Sequence, residues 1–369
     1  MQVFVVGGAV RDVVLGHPHK DVDYVVVGST PEEMLSLGYK QVGADFPVFL
    51  CPNGDEYALA RTERKTGEGY LGFETSCDSH ITLKQDQQRR DLTINQLAVD
   101  IDNWEEFKRT KNTKLVIDNY GGLDDIRNKI LRHTSEFFVE DPVRILRIAR
   151  FHATYGFNVA RSTMELMISM VKNGDVDHLV PERIWAEMHK AIMLTNAMKF
   201  FWILHRCGAL NIIIPGLSKS MVIHGIAVRS ATLREHSLGV RMMLLFGYLE
   251  DPQDSLLQLR APSSIIERVV MFKRAEALIT SNYSPADILG FLKQIKDPNL
   301  LYIISNALNV TSFEQGLAFN SVISGYNATK FISFQSLDDE QQKTLKGADI
   351  GKAIDALKIE AITMDVILS

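Results

Sequence analysis

Cysteine is scarce in this chain: Cys51, Cys77 and Cys207 are odd in number, far apart and without a Cys-x-x-Cys pair. That excludes a disulfide framework and a thiolate zinc site, and it fits a reducing compartment. No apolar run reaches the roughly 18 residues of a membrane span. Met1 to Val6 leads into a glycine turn and not into a signal-peptide core. The expectation is a soluble, cytoplasmic protein with no membrane partner. An excess of positive charge is also missing, since 40 Lys and Arg against 45 Asp and Glu leave a net charge of -5. Any nucleic-acid contact must therefore come from a local patch. The ten histidines are scattered without ligand spacing, and there is no fixed-period repeat or low-complexity tract.

What is present is an ordinary globular composition, 46% apolar and 23% charged. At 369 residues the chain exceeds what one hydrophobic core organises, so two or three domains of roughly 150 residues are expected. The first quarter carries short strand-like runs at Val3–Val6, Tyr24–Val27, Val48–Cys51 and Tyr57–Ala60, with a helix over about Pro31–Leu37. From about Asp141 a helical period takes over: Val143, Leu146, Ile148 and Phe151, then Ile184, Met188 and Ile192, then Ile265, Val269 and Phe272. Prolines from Pro181 to Pro298 break that region into helices of ordinary length. The pattern predicts a mixed α and β head on a helical remainder.

Four clusters in this pattern suit phosphate chemistry. Gly7-Gly8-Ala9-Val10-Arg11 stands at a strand-to-helix turn, where glycine permits close backbone approach to a phosphate and Arg11 adds positive charge. Alone, such a pair is more often a structural turn. Asp21-Val22-Asp23 follows. In a strand, residues i and i+2 share a face about 6–7 Å apart, so both carboxylates can converge on Mg²⁺ while Val22 packs beneath. A lone Asp-x-Asp is usually a solvated strand edge. Beside a phosphate-suited glycine turn it supplies the metal half of nucleotidyl transfer.

In Arg89-Arg90-Asp91-Leu92-Thr93-Ile94-Asn95, the arginines suit phosphate or ribose oxygens, and Asp91 or Asn95 can fix a sugar hydroxyl or orient the arginines. Leu92, Ile94, Leu97 and Ala98 supply the buried side. Glu140-Asp141-Pro142-Val143-Arg144 opens a helix on which Arg144, Arg147 and Arg150, drifting about 60° per step, share one cationic face. Asp141 before Pro142 is also a good N-cap. Its functional alternative pairs it with Arg144 to read a base edge. A carboxylate accepts from the exocyclic amine of cytosine or adenine, and a guanidinium donates to the adjacent ring nitrogen. Guanine and uracil reverse both contacts, at a penalty on the order of 1–3 kcal/mol each.

The ordered motifs GGAVRDVVLG, DVDYVVVG, ARTERKTGEGYLGF (Ala60 to Phe73), RRDLTINQLA, DNYGGLDDIRNKILRH (Asp118 to His133), EDPVRILRIARF and PERIWAEMHKAI (Pro181 to Ile192) resemble class II tRNA nucleotidyltransferases, the bacterial CCA-adding enzymes. The resemblance is strong to about Pro215 and thin beyond it. It implies an α+β protein whose N-terminal nucleotidyltransferase head, a mixed sheet with helices, is followed by an all-helical neck, body and tail. The divisions it suggests are a head over 1–135, a neck with the base-reading helix over 136–215, and a body and tail over 216–369 that contacts tRNA. It implies untemplated addition of C, C and A to the tRNA 3′ end from CTP and ATP. Carried over, Asp21 and Asp23 bind Mg²⁺ and are catalytic, and Gly8, Arg11, Arg90, Asp141, Arg144, Arg147 and Arg150 bind the nucleotide. The segment Arg61 to Phe73 resembles a mobile loop that helps the site change from C to A. Glu56 is a weaker candidate for a third metal carboxylate.

The chain also departs from the family. WEEFKRTKNTK lies between Asp100 and Asp118, and Asn119 stands where proline is usual. In the run Val240 to Gly247, Phe246 and Gly247 occupy the likely place of a His-Asp metal pair found in longer relatives. Leu259-Arg260-Ala261-Pro262 still resembles that region's scaffold, so the expectation is a hydrolase-like helical fold without its chemistry. A poly(A) polymerase, or a partial enzyme adding only CC or only A, shares the head motifs. A non-catalytic tRNA-binding protein is the alternative of a different class, and the paired metal carboxylates speak against it.

Overall fold

The computed structural model describes residues 1–19, 21–42, 48–65, 73–76, 78–219, 228 and 236–368. The chain forms two compact units: Met1–Ala191 with Lys199–Ile213, and Ile192–Met198 with Ile214–Ser369.

The first unit is built on a seven-stranded mixed sheet with strand order β3-β4-β5-β2-β1-β8-β9. Inside it, β1 (Gln2–Val6) is antiparallel to both the central strand β2 (Asp23–Val27) and β8 (Ala98–Asp100). Beyond β2 lies β5 (Glu56–Leu59), parallel to it, then β4 (Val48–Leu50) and β3 (Lys40–Val42); β9 (Val116–Ile117) closes the other edge. Alternation along β2 explains why the run is apolar throughout. Val25 joins Phe4, Val6 and Ala98 in one core cluster, and Val26 joins Met34, Phe49 and Leu59 in another. A short hairpin, β6 (Thr62–Lys65) with β7 (Phe73–Ser76), flanks residues 66–72. The centre of the Ala60 to Phe73 motif thus lies outside the described residues, as does Cys77.

Three helices carry the site. α1 (Gly8–Leu15) follows β1 directly, and α3 (Leu83–Gln88) is closed by a full capping box from Thr82 and Gln85. The Arg89-Arg90 pair therefore follows a helix end instead of opening a helix. α6 (Val143–Tyr155) begins one residue later than the sequence suggests: Pro142 takes the N-cap position, and the Asp141 carboxylate accepts from the Val143 amide at 3.1 Å. Among the described residues helices dominate from here, with one exception to the all-helical expectation. The two-residue strand β11 (Asn158–Val159) pairs parallel with β10 (Ile130–Leu131) and ties the chain after α6 back to the head.

The Asn119 departure has a structural use. Its Nδ2 donates to the buried Gln87 Oε1 at 2.6 Å, while Gln87 Nε2 donates to the Gln96 carbonyl at 2.7 Å. Asp118 accepts from the Gly122 and Leu123 amides and so starts α5 (Gly122–Asn128).

The second unit is helical among its described residues. The helix Leu238–Phe246 is buried from Gly239 to Phe246, and Ser263–Thr280 packs against it through Ile265, Val269 and Phe272. At Gly247 an added Cβ would stand 2.5 Å from the Phe272 ring and 2.6 Å from the Met243 carbonyl. A side chain at this position would collide with its neighbours, so the packing here requires glycine. Among the described residues no helix is long and apolar enough to cross a membrane.

Candidate active site

β1 ends in a turn that only glycine adopts without strain. Gly7 has φ 72° and ψ -126°, its amide donates to the Leu97 carbonyl at 2.9 Å, and an added Cβ would lie 3.1 Å from Arg90 Nη1. The chain then enters α1 with no side chain capping the first amides. This turn lines a cavity of about 700 Å³ that also receives Arg11, Asp23, Arg90, Asp141, Arg144, Arg147 and Arg150. Eight arginines line it in all. So dense a cationic wall suits a polyphosphate.

Buried carboxylates hold those arginines in place. Asp86, fully buried in α3, accepts from Arg89 at 2.7 Å and from Arg90 at 3.1 Å. Burial alone would push its carboxyl up, but the two guanidinium charges outweigh that and hold it down at about 2. Asp91 does the same for the other side: Oδ2 accepts from Arg147 Nε at 2.7 Å, and Oδ1 accepts from Asn95 Nδ2 at 3.0 Å. Asn95 Oδ1 in turn accepts from Arg11. Burial again opposes the charge, and Arg147 with Asn95 keeps the Asp91 carboxyl at about 2. Arg11 also lies over the rings of Phe151 and Tyr155, at 5.3 and 5.1 Å, and Arg150 over Phe151 at 4.4 Å. The Tyr155 phenol, pushed up to about 12 chiefly by burial, donates to Asp12 at 3.1 Å.

The base-reading candidates are anchored as well. Arg144 donates to the carbonyls of Phe137 and Arg89 at 2.6 and 2.7 Å. Asp141 receives both arms of Arg183, at 3.0 and 2.8 Å. With the Val143 amide, three of the carboxylate's roughly four acceptor positions are filled, which leaves one on Oδ2 for a ligand.

The structure brings Gly8, Arg11, Asp23, Arg90, Asp141, Arg144, Arg147 and Arg150 to one cavity. Asp21 is not among its lining residues. β2 begins at Asp23, so Asp21 and Val22 precede the strand and the expected alternation of a strand does not fix them. Glu56 is exposed at the start of β5 and lies outside the lining. Among the described residues no group of three or more His, Cys, Asp or Glu side chains is placed to hold a metal. Sequence reasoning left out Asp86, Arg183, Glu187, Phe151 and Tyr155. Arg183 and Glu187, the latter bonded to Arg150 Nε, both belong to the PERIWAEMHKAI motif, which had been recognised without assigning its residues.

Sheet, turn and cavity together define a nucleotidyltransferase-type head, and comparison with known proteins agrees. Residues 3–132 match the family described as Poly A polymerase head domain, and residues 156–221 the family described as Probable RNA and SrmB- binding site of polymerase A. Both matches fall within residues 3–221, and over them the chain is similar to nucleotidyltransferases that carry these two domains. A Multifunctional CCA protein of Acinetobacter baumannii is 52% identical over 219 residues, 58% of this chain and 50% of its own length. One of Methylobacillus flagellatus is 50% identical over 250 residues, 67% of this chain and 57% of its own. The chain thus spans about half the length of the curated relatives it matches. Among solved structures, an apo CCA-adding enzyme has a TM-score of 0.68 at 20% identity, covering 100% of this chain and 90% of that one. A CCA-adding enzyme with CTP gives 0.68 at 19%, covering 98% and 87%. At such identities the likeness is one of fold, and it includes the second unit, where sequence resemblance is thin.

Proposed function

We propose that the protein adds CCA, without a template, to the 3′ end of tRNA from CTP and ATP. The observation that carries this is the single cavity in which Asp23, the Gly7-Gly8 turn, Arg90 and the α6 residues meet. The RNA 3′ hydroxyl attacks the α-phosphorus in line and pyrophosphate leaves. The arginines fixed by Asp86 and Asp91 receive the triphosphate without reorganising, so catalysis is mainly positioning and charge neutralisation. Asp141 accepts from the exocyclic amine of C or A, and Arg144, turned by its two carbonyl partners, donates to the ring nitrogen.

Asp21 and Asp23 would hold the metal. They offer exposed, hard carboxylate oxygens two residues apart with no nitrogen or sulfur donor, a set that fits Mg²⁺ and leaves the remaining positions to water and phosphate. Bound there, Mg²⁺ makes the hydroxyl a better nucleophile and offsets phosphate charge. The head over 1–135, the neck over 136–215 and a tRNA-contacting body and tail over 216–369 are the division of labour that goes with this function. The test is extension of a tRNA lacking its CCA end. Asp23→Ala is expected to abolish growth while its melting curve stays that of the wild type, and retained turnover would remove the metal role.

A further inference from the structure

The positive surface of the first unit continues past the nucleotide cavity. At the opposite end of α1 lies a second hollow, of about 340 Å³, lined by Gly16, His17, His19, Lys108 and Lys111. Among the described residues no carboxylate lines it. Glu105 pairs with Lys108 at 2.6 Å, whereas Lys111 has no ion pair among the described residues. We propose that this hollow is a phosphate subsite that holds the backbone of the RNA strand upstream of the reacting 3′ end. The proposal rests on the reading that the chain extends RNA.

Capping does not explain this cluster. The end of α1 is already closed by Gly16 at φ 72°, whose amide donates to the Asp12 and Val13 carbonyls, so no lysine is needed there. Lys111 nevertheless sits at φ 53°, a left-handed position that glycine or asparagine usually takes. That turn brings its ammonium to within 3.2 Å of where a Cβ on Gly16 would be. Lys108 and His19 are steadied by one ring: the Lys108 ammonium lies 5.6 Å over Trp104, and His19 meets the same ring edge-on at 5.6 Å. Both lysines belong to the WEEFKRTKNTK segment between Asp100 and Asp118.

Its position favours an RNA strand over a free anion. An eight-residue helix spans about 12 Å, so the two cationic hollows lie at either end of one short element. Tyr155 connects them, since Arg11 of the first and His17 of the second, stacked at 5.9 Å, share its ring. The second hollow has about half the volume of the first, room for a phosphate with its attached sugar. Ammonium and imidazole donors bind phosphate oxygens without regard to base, which is what a primer of variable sequence requires.

The test uses the full chain carrying Lys108→Gln, Lys111→Gly or both. Glycine at 111 keeps the left-handed turn, so weaker binding by that variant cannot be assigned to a lost fold. Affinity for a tRNA without its CCA end is measured across a salt series, alongside KM for CTP and binding of inorganic pyrophosphate. The double variant is expected to bind tRNA on the order of tenfold more weakly at low salt, with the log–log salt slope flatter by about 0.7–0.9 per lysine. KM for CTP stays at the wild-type value. An unchanged slope overturns the proposal, and an unchanged slope with pyrophosphate binding lost would make the hollow a free-anion site. If the wild type extends no tRNA, the proposed function fails, and the salt slope still decides the subsite.

Discussion

Asp91 shows how one buried residue organises chemistry it does not perform. It lies at the junction from which Arg147 is held directly and Arg11 through Asn95. Asp91→Asn takes the nearest counter-charge from Arg147, and because that side chain is 37% exposed the expected loss is about 1–2 kcal/mol. Urea unfolding should show that loss, with KM for nucleotide raised on the order of tenfold; wild-type values of both would refute the orienting role. Asp86 and Asp91 also set an acid limit. Their folded carboxyls titrate at about 2, below the usual 3.8. A depressed folded value means that their contribution is complete above the unfolded value and is lost as pH falls through the folded one. Stability of the first unit is therefore expected to drop between about pH 4 and pH 2, and the Asp86→Asn, Asp91→Asn double variant should be flatter over that window. At this scale the sequence disclosed the motif residues better than the residues that hold them. Arg90, Asp141 and Arg144 stand in recognisable strings, whereas Asp86 reads as one more polar residue in LKQDQQ until its burial is seen.

Among elements, a tight backbone constraint lies where α5 meets the loop after α3. A Cβ on Gly122 would stand 2.2 Å from the Thr93 carbonyl, and Thr93 is itself bonded to Asp125 at 2.7 Å. Gly122→Ala must push that loop, and with it Asp91 and Asn95, out of place. It is expected to lower stability by about 2–3 kcal/mol and activity in parallel, as read by thermal melting and initial rates. A variant as stable as the wild type would show that the contact yields. Strands β1, β2, β4 and β5 were legible because β-branched runs end at turns, and α6 because its apolar period is clear. Strands β8 and β9 were not, since two or three residues give no period. Their identity comes from pairing with β1 and with each other. The DVD motif misled in a limited way: its alternation suggested strand throughout, but pairing with Val6 begins only at Asp23.

For the molecule as a whole, a net charge of -5 conceals a strongly cationic cavity, because eight arginines from α1, the segment after α3, α6 and elsewhere are gathered there against Asp23, Asp91 and Asp141. Composition could exclude a bulk basic field and could not locate a local one. The second unit was the least legible part. Its helices keep an apolar interior, with Phe246 buried and Gly247 packed against the Phe272 ring, but their sequence carries few motifs from which that packing could be read. The central claim is that side chains of one cavity choose C and A and stop after CCA. The most direct measurement supplies tRNAs ending before CCA, after C and after CC with Mg²⁺ and each of CTP, ATP, GTP and UTP, singly and mixed, and sequences the ends. Ordered growth that uses only CTP and ATP and stops at CCA is the predicted result. Incorporation of G or U at comparable rates, or runs of A on unrelated RNA, would contradict it.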